Sequence, residues 1–162
     1  RGPRRRAGAE LRGRKQHAMI RATAALPPNH GKGKPFAQLT LTSDQRRLRR
    51  KVLAVKGEEI LVDFAEPVTL EHFGALALED GRLVEIVAAP EPLLEATPRG
   101  TEHLAQLAWH IGNRHMAAQI EKKRILVPRD HVARTMLAGL GAEVRDVTEP
   151  FLPMQGAYHA PH

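Results

Sequence analysis

Between Leu93 and Val147 the hydrophobic period switches back and forth between two and 3.6, and that succession constrains the fold more than any composition figure. Short segments at 93–96, 119–121, 124–127 and 142–147 read as strands. Between them, 101–111 places Leu104, Leu107, Ala108 and Ile111 at helical spacing, and 129–140 does the same with Val132, Met136, Leu137 and Leu140. The order is βαββαβ. Its common solution is a four-stranded antiparallel sheet with both helices on one face, the ferredoxin-like arrangement.

Capping residues sharpen the helix ends. Asp130 suits the N-terminal turn of the second helix, and Gly139 and Gly141 supply its stop. Gly112 and Asn113 follow the apolar stripe of the first helix at once. They are the residue types that best tolerate a left-handed closing conformation, so Arg114 and His115 are expected to leave the helix facing solvent.

Upstream, six short strands are expected at 19–26, 36–42, 51–55, 59–64, 75–79 and 82–87, separated by Gly57, Pro67, Gly74 and the Asp80-Gly81 hairpin signal. The charged run 43–50 reads as a turn on a solvated edge. Gly31-Lys32-Gly33-Lys34 lacks the spacing and following helix of a phosphate-binding loop and reads as a solvated connection. Prolines in Ala88-Ala89-Pro90-Glu91-Pro92 mark a linker. The fold class is therefore α+β: a small N-terminal all-β domain at 19–89, a ferredoxin-like domain at 90–149, and a Pro/Gly-rich flexible tail at 150–162 carrying His159 and His162.

A net charge of +7 invites a nucleic-acid reading. Residues 1–18, however, hold seven Arg and Lys against Glu10 alone, which leaves +1 on the rest of the chain. This basic segment has no hydrophobic period and no apolar signal-peptide core, so it reads as a disordered extension outside the fold, with Met19 as the natural start. Strands 119–121, 124–127 and 142–147 contain no Phe, Tyr or Trp for base stacking. No apolar run is long enough to span a membrane.

Cysteine is absent, so any metal must be held by nitrogen and oxygen donors, with imidazole suiting Ni, Cu or Zn. Six of the nine histidines fall at or after His103: His103, His110, His115, His131, His159 and His162. His103 and His110 share a face but stand roughly 10 Å apart in rise, and His110 and His115 are separated by roughly 140° around a helix. No HExxH motif or carboxylate cluster supports a hydrolase. An enclosed metal site within one chain is not visible. His72, beside Leu70 and Phe73, reads as a partly buried loop residue, and His131, at a helix start, reads as structural more readily than as a ligand.

Gly112-Asn113-Arg114-His115, Ala118-Gln119-Ile120, 125–132, Met136-Leu137, 139–144, Pro150-Phe151 and Gly156-Ala157-Tyr158-His159 together resemble UreE, the urease accessory nickel metallochaperones. Met19-Ile20-Arg21-Ala22, 39–42 and 79–84 resemble that family's N-terminal domain less specifically. The resemblance implies a cytoplasmic protein that is not an enzyme. It implies a homodimer, able to form a higher oligomer with metal, in which His115 of each subunit meets its counterpart near the two-fold axis to bind Ni(II). His159, His162 and His131 are the candidates to complete the shell, and Zn(II) or Cu(II) can substitute in vitro. The implied partners are the accessory GTPase UreG and the urease apoprotein complex, with the N-terminal domain as the protein-interaction part and no nucleic acid or membrane involved. With only His159 and His162 in the tail, and Arg129 where some members carry histidine, high-capacity storage and an accessory site at that position are not supported. A nucleic-acid-binding ferredoxin-like module and a metal-storage protein are the alternative readings.

Overall fold

The computed structural model describes residues 19–155. The 1–18 extension, His159 and His162 lie outside the described residues.

The first sheet contains β1 (Ile20–Leu26), β2 (Ala37–Leu41), β3 (Arg47–Val55), β4 (Glu58–Thr69), β5 (Ala75–Leu78) and β6 (Leu83–Ala88), in the order β2-β6-β5-β1-β4-β3. β1 runs parallel to β4 and β2 to β6, while the remaining pairs are antiparallel. The sheet curls around Ile60, Val62, Leu70, Leu76, Val84 and Ile86, all essentially inaccessible. Lys56 and Gly57 both adopt positive φ, the two-residue turn that matches strand twist and joins β3 to β4.

Two expectations for this domain need correction. Residues 43–50 are not one charged turn: Ser43–Arg46 form the single-turn α1, capped by Thr42 and Gln45, and β3 begins at Arg47. Nor is the segment solvated throughout, since Arg46 is 3% exposed. Pro67 does not end β4 either. The strand continues to Thr69 past an irregularity in its pairing with β3, and such a break is where proline's missing N–H does least harm.

The second sheet contains β7 (Pro90–Thr97), β8 (Gln119–Ile120), β9 (Ile125–Pro128) and β10 (Glu143–Pro150), with α2 (Thr101–Asn113) and α3 (His131–Gly139) in βαββαβ order. Its strands lie in the order β10-β7-β9-β8, all antiparallel, the ferredoxin-like topology. Leu94, Ala96, Ile125 and Val127 face Leu107, Ile111, Ala133 and Leu137 from the helices. Val132 does not join this face and is 59% exposed. Asp130 caps Ala133 N–H, so α3 starts at His131 and Ala133 takes the place of Val132 in an apolar stripe that otherwise keeps Met136, Leu137 and Leu140.

Pro90 and Pro92 do not form a loose linker but open β7. Pairing with β9 begins only at Leu93, so their absent N–H groups fall where β7 has a partner on one side alone. The expected tail also begins late. Pro150 pairs with Pro90, and Phe151 is 1% exposed against Leu93 and Leu126 on the sheet face opposite the helices. An aromatic side chain that covers two buried leucines gains more from packing than a flexible tail would retain.

The two sheets are tied together at one corner. Ser43 N–H and Oγ–H donate to Glu91 at 3.0 and 2.9 Å, Ala89 N–H donates to the Leu41 carbonyl at 2.8 Å, and the Arg46 guanidinium donates to the Phe151 carbonyl.

Candidate metal centre

The C-terminus of α2 positions the leading candidate ligand. Met116 N–H donates to the Ile111 carbonyl at 3.3 Å, and His115 N–H donates to the Gly112 carbonyl at 3.0 Å. Those two bonds, together with the φ of 56° at His115, define a Schellman closure with His115 in its left-handed position. Met116 packs on the same core as Ile111, completing the motif's hydrophobic contact. Gly112 and Asn113, expected to close the helix, are instead part of it. Glycine is the usual occupant of the closing position; a side chain there costs about 1 kcal/mol. His115 is exposed, and its imidazole makes no hydrogen bond within the described residues, so both ring nitrogens are free for a ligand.

The other described histidines are engaged elsewhere or stand apart. His103 is 8% exposed; its Nδ1 accepts from Arg99 N–H at 2.9 Å, which places the proton on Nε2, and that nitrogen donates to the Leu140 carbonyl at 2.8 Å. It has no lone pair left for a metal. His72 Nδ1 accepts from Ala88 N–H at 2.9 Å while the ring stacks on Phe73, in keeping with its reading as a partly buried loop residue. His30 Nδ1 accepts from Lys32 N–H. His110 lies edge-on to Trp109, which is 64% exposed on the outer face of α2. His131 is exposed at the first residue of α3. Among the described residues no three His, Asp or Glu side chains converge into a set that could hold a metal ion.

The position of the C-terminal segment was not foreseen from sequence. Beyond Phe151, Leu152 N–H donates to Gln119 Oε1 and Met154 N–H donates to the Ala118 carbonyl, both at 2.8 Å. Ala118 is three residues beyond His115, so the chain leading to His159 and His162 is pinned beside the end of α2. Met154, Leu152 and Ala117 also line a cleft of about 580 Å³ between the two domains, with Arg46, Leu70 and His72 on its other wall. Nothing in the composition of 150–155 reveals these two hydrogen bonds, because they depend on where Ala118 and Gln119 lie in space.

Behind β7, on the face away from the helices, Glu95 is 7% exposed and accepts hydrogen bonds from Arg124 and Arg145, each at 2.8 Å. Arg124 also reaches Glu149 and Glu121. Hydrogen bonding from Arg124, reinforced by Arg145, holds the Glu95 carboxyl below its ordinary range against the opposing effect of burial. This network braces the sheet and supplies no open ligand position. Among the described residues no helix is long and apolar enough to cross a membrane.

Comparison with known proteins places this geometry in context. A family model described as the UreE urease accessory protein, N-terminal domain, matches residues 17–89, and its C-terminal counterpart matches residues 91–162. The urease accessory protein UreE of Rhizobium rhizogenes is 52% identical over 143 residues, covering 88% of this chain and 86% of the relative. UreE of Agrobacterium fabrum is 50% identical over 143 residues, with 88% and 89% covered, and UreE 1 of Brucella suis is 56% identical over 129 residues, with 79% and 80% covered.

Proposed function

The chain belongs to the UreE family of urease accessory proteins, and from that premise we propose that it is a nickel metallochaperone binding Ni(II) through His115 at a homodimer interface. Membership gives a role in urease maturation, and the family is one of accessory proteins rather than enzymes. The observation that carries the nickel reading is His115 itself: an exposed imidazole with no competing hydrogen bond, set in a left-handed position that favours glycine. A residue retained at such a cost is a candidate for function.

One imidazole cannot hold Ni(II). An isologous contact between two copies doubles the donor and brings both His115 rings to the two-fold axis. The exposed Trp109 on the same helix is compatible with such a contact, since tryptophan is among the residues enriched where proteins meet. His159 and His162 are the further ligands in this reading, and His131 is the reserve. From Gln155 to His159 is four residues, a reach of about 13 Å when extended, starting beside Ala118. A shared, solvent-facing nitrogen site with replaceable ligands suits transfer of its cargo to UreG and the urease apoprotein, whereas a closed four-ligand site would retain it. Zn(II) and Cu(II) are competing occupants in vitro.

Nickel titration of the full chain, with the mass of the loaded species determined in parallel, tests the reading. The expected result is nickel bound to a dimer, with tight binding lost in His115→Ala while the circular dichroism spectrum is unchanged. Tight nickel binding by the variant, or by a monomer, overturns it.

A further inference from the structure

The first domain is nearly neutral, with ten Arg and Lys against nine Asp and Glu over residues 19–88, yet five of the ten cations fall within 46–51. Arg46 is buried; Arg49, Arg50 and Lys51 are exposed on β3, the terminal strand of the sheet. None of the last three has an ion-pair or hydrogen-bond partner for its side chain among the described residues, although Asp63 stands in register with Arg50. In the second domain Arg124, Arg129, Arg134 and Arg145 are paired with carboxylates, while Arg99 and Arg114 stand apart from one another.

Backbone geometry concentrates this charge. The pairing of β3 with β4 shifts register between Leu48 and Arg50, and the buried positions Leu48, Leu53 and Val55 change parity across that shift. Residues 49 to 52 are all exposed, beginning at that shift. Like charges on consecutive exposed positions repel, and on a terminal strand they also oppose edge-to-edge pairing with a second copy.

We propose that the Arg49-Arg50-Lys51 segment of the terminal strand β3 is a docking surface for an acidic surface of a partner protein. Charge complementarity identifies the partner's chemistry. Val52, 45% exposed beside the cations, gives the patch an apolar spot of the kind that protein interfaces bury. Residues 44–56 contain no Phe, Tyr or Trp, so the base-stacking platform that a single-stranded nucleic acid uses is missing. A second copy of this chain is disfavoured as occupant, because the same cations would face one another. The inference rests on reading the first domain as the protein-interaction part of a urease accessory protein, but not on the metal assignment, since His115 lies in the other domain.

The test uses the full chain, a Glu-rich peptide carrying two leucines, and single-stranded DNA of equal charge as competitor. The expected result is peptide-induced shifts of the β3 amide resonances. Affinity should fall about tenfold, or about 1.4 kcal/mol, in Arg49→Gln/Arg50→Gln/Lys51→Gln, with nickel binding unaltered. The control Lys122→Gln/Lys123→Gln removes exposed charge from the second domain and should leave peptide affinity within twofold. Undiminished binding by the triple variant overturns the proposal, as does an equal loss in the control. Shifts confined to other residues, or DNA displacing the peptide at equal charge concentration, overturn it as well. Loss of nickel binding in the triple variant would count separately, against the division of roles between the domains.

Discussion

The guanidinium of Arg46, in the only turn of α1, donates to the main-chain carbonyl of Phe151, at the far end of the second sheet. The contact crosses from one domain to the other and is almost wholly buried on the Arg46 side. Burial lowers the Arg46 pKa, with Glu91 acting in the opposite direction, and its Nε has no hydrogen-bond partner. The residue therefore keeps its charge in an unfavourable place in order to satisfy a carbonyl that β10 leaves unpaired.

Arg46→Ala is expected to destabilise the protein by roughly 3 kcal/mol, because it leaves a void and strands the Phe151 carbonyl. Arg46→Met fills the void without burying a charge and should recover at least half of that loss. Urea unfolding of the two variants separates a packing role from a hydrogen-bonding one. Equal destabilisation by both would assign the contribution to the hydrogen bond.

The left-handed position of His115 leads to an inverted expectation for stability. Glycine carries no Cβ penalty there, so His115→Gly should be more stable than His115→Ala by about 1 kcal/mol, although glycine normally weakens a helix. Both variants should lose tight nickel binding equally. Chemical denaturation monitored by circular dichroism checks the ordering, and a less stable glycine variant would mean that the Schellman closure does not form in solution.

Acid should expose the Glu95 network. Its carboxyl pKa is depressed in the folded state, so the stabilisation is fully present above the unfolded value of 4.5 and is lost as pH falls through the lower folded value. Glu95→Gln keeps the shape but removes this contribution. The stability difference between wild type and variant is expected to be largest near neutral pH and to shrink below about pH 4.5. A difference independent of pH would show that packing, and not ionisation, holds Glu95 in place.

What was legible in the sequence was whatever depends on local period. The βαββαβ order, the apolar stripe of α2 and the Asp130 cap follow from residues within a few positions of one another. The errors at Pro90, Pro92 and Phe151 share a cause: in each a distant partner sets the conformation. Pro90 and Pro92 read as breakers because proline removes a donor, but β10 lies on the side where no donor is needed. Phe151 read as tail until Leu93 and Leu126 were brought beneath it. His115 was correctly singled out as an exposed residue beyond the apolar stripe. Its left-handed backbone was assigned to Gly112 and Asn113, since residue preference favours them and only the packing of Met116 on the Ile111 core carries the helix two residues further.

The last prediction concerns the route by which the tail meets the metal. Leu152 and Met154 are anchored by backbone donors to Gln119 and Ala118, so the tail's origin beside His115 does not depend on the identity of their side chains. Leu152→Ala and Met154→Ala should therefore alter nickel affinity by less than about threefold, the factor expected when only exposed apolar surface changes. Met154→Pro is different: it removes the N–H that donates to the Ala118 carbonyl and frees the segment. If His159 and His162 are ligands, releasing the anchor widens the volume they sample and lowers their effective concentration at His115, and nickel binding weakens with the dimer intact. Replacing both tail histidines with alanine should weaken binding at least as much and make the Met154→Pro change silent. X-ray absorption at nickel provides the independent count. An unchanged number of imidazole ligands in the double variant would remove His159 and His162 from the shell and leave His131 or water as the missing donors.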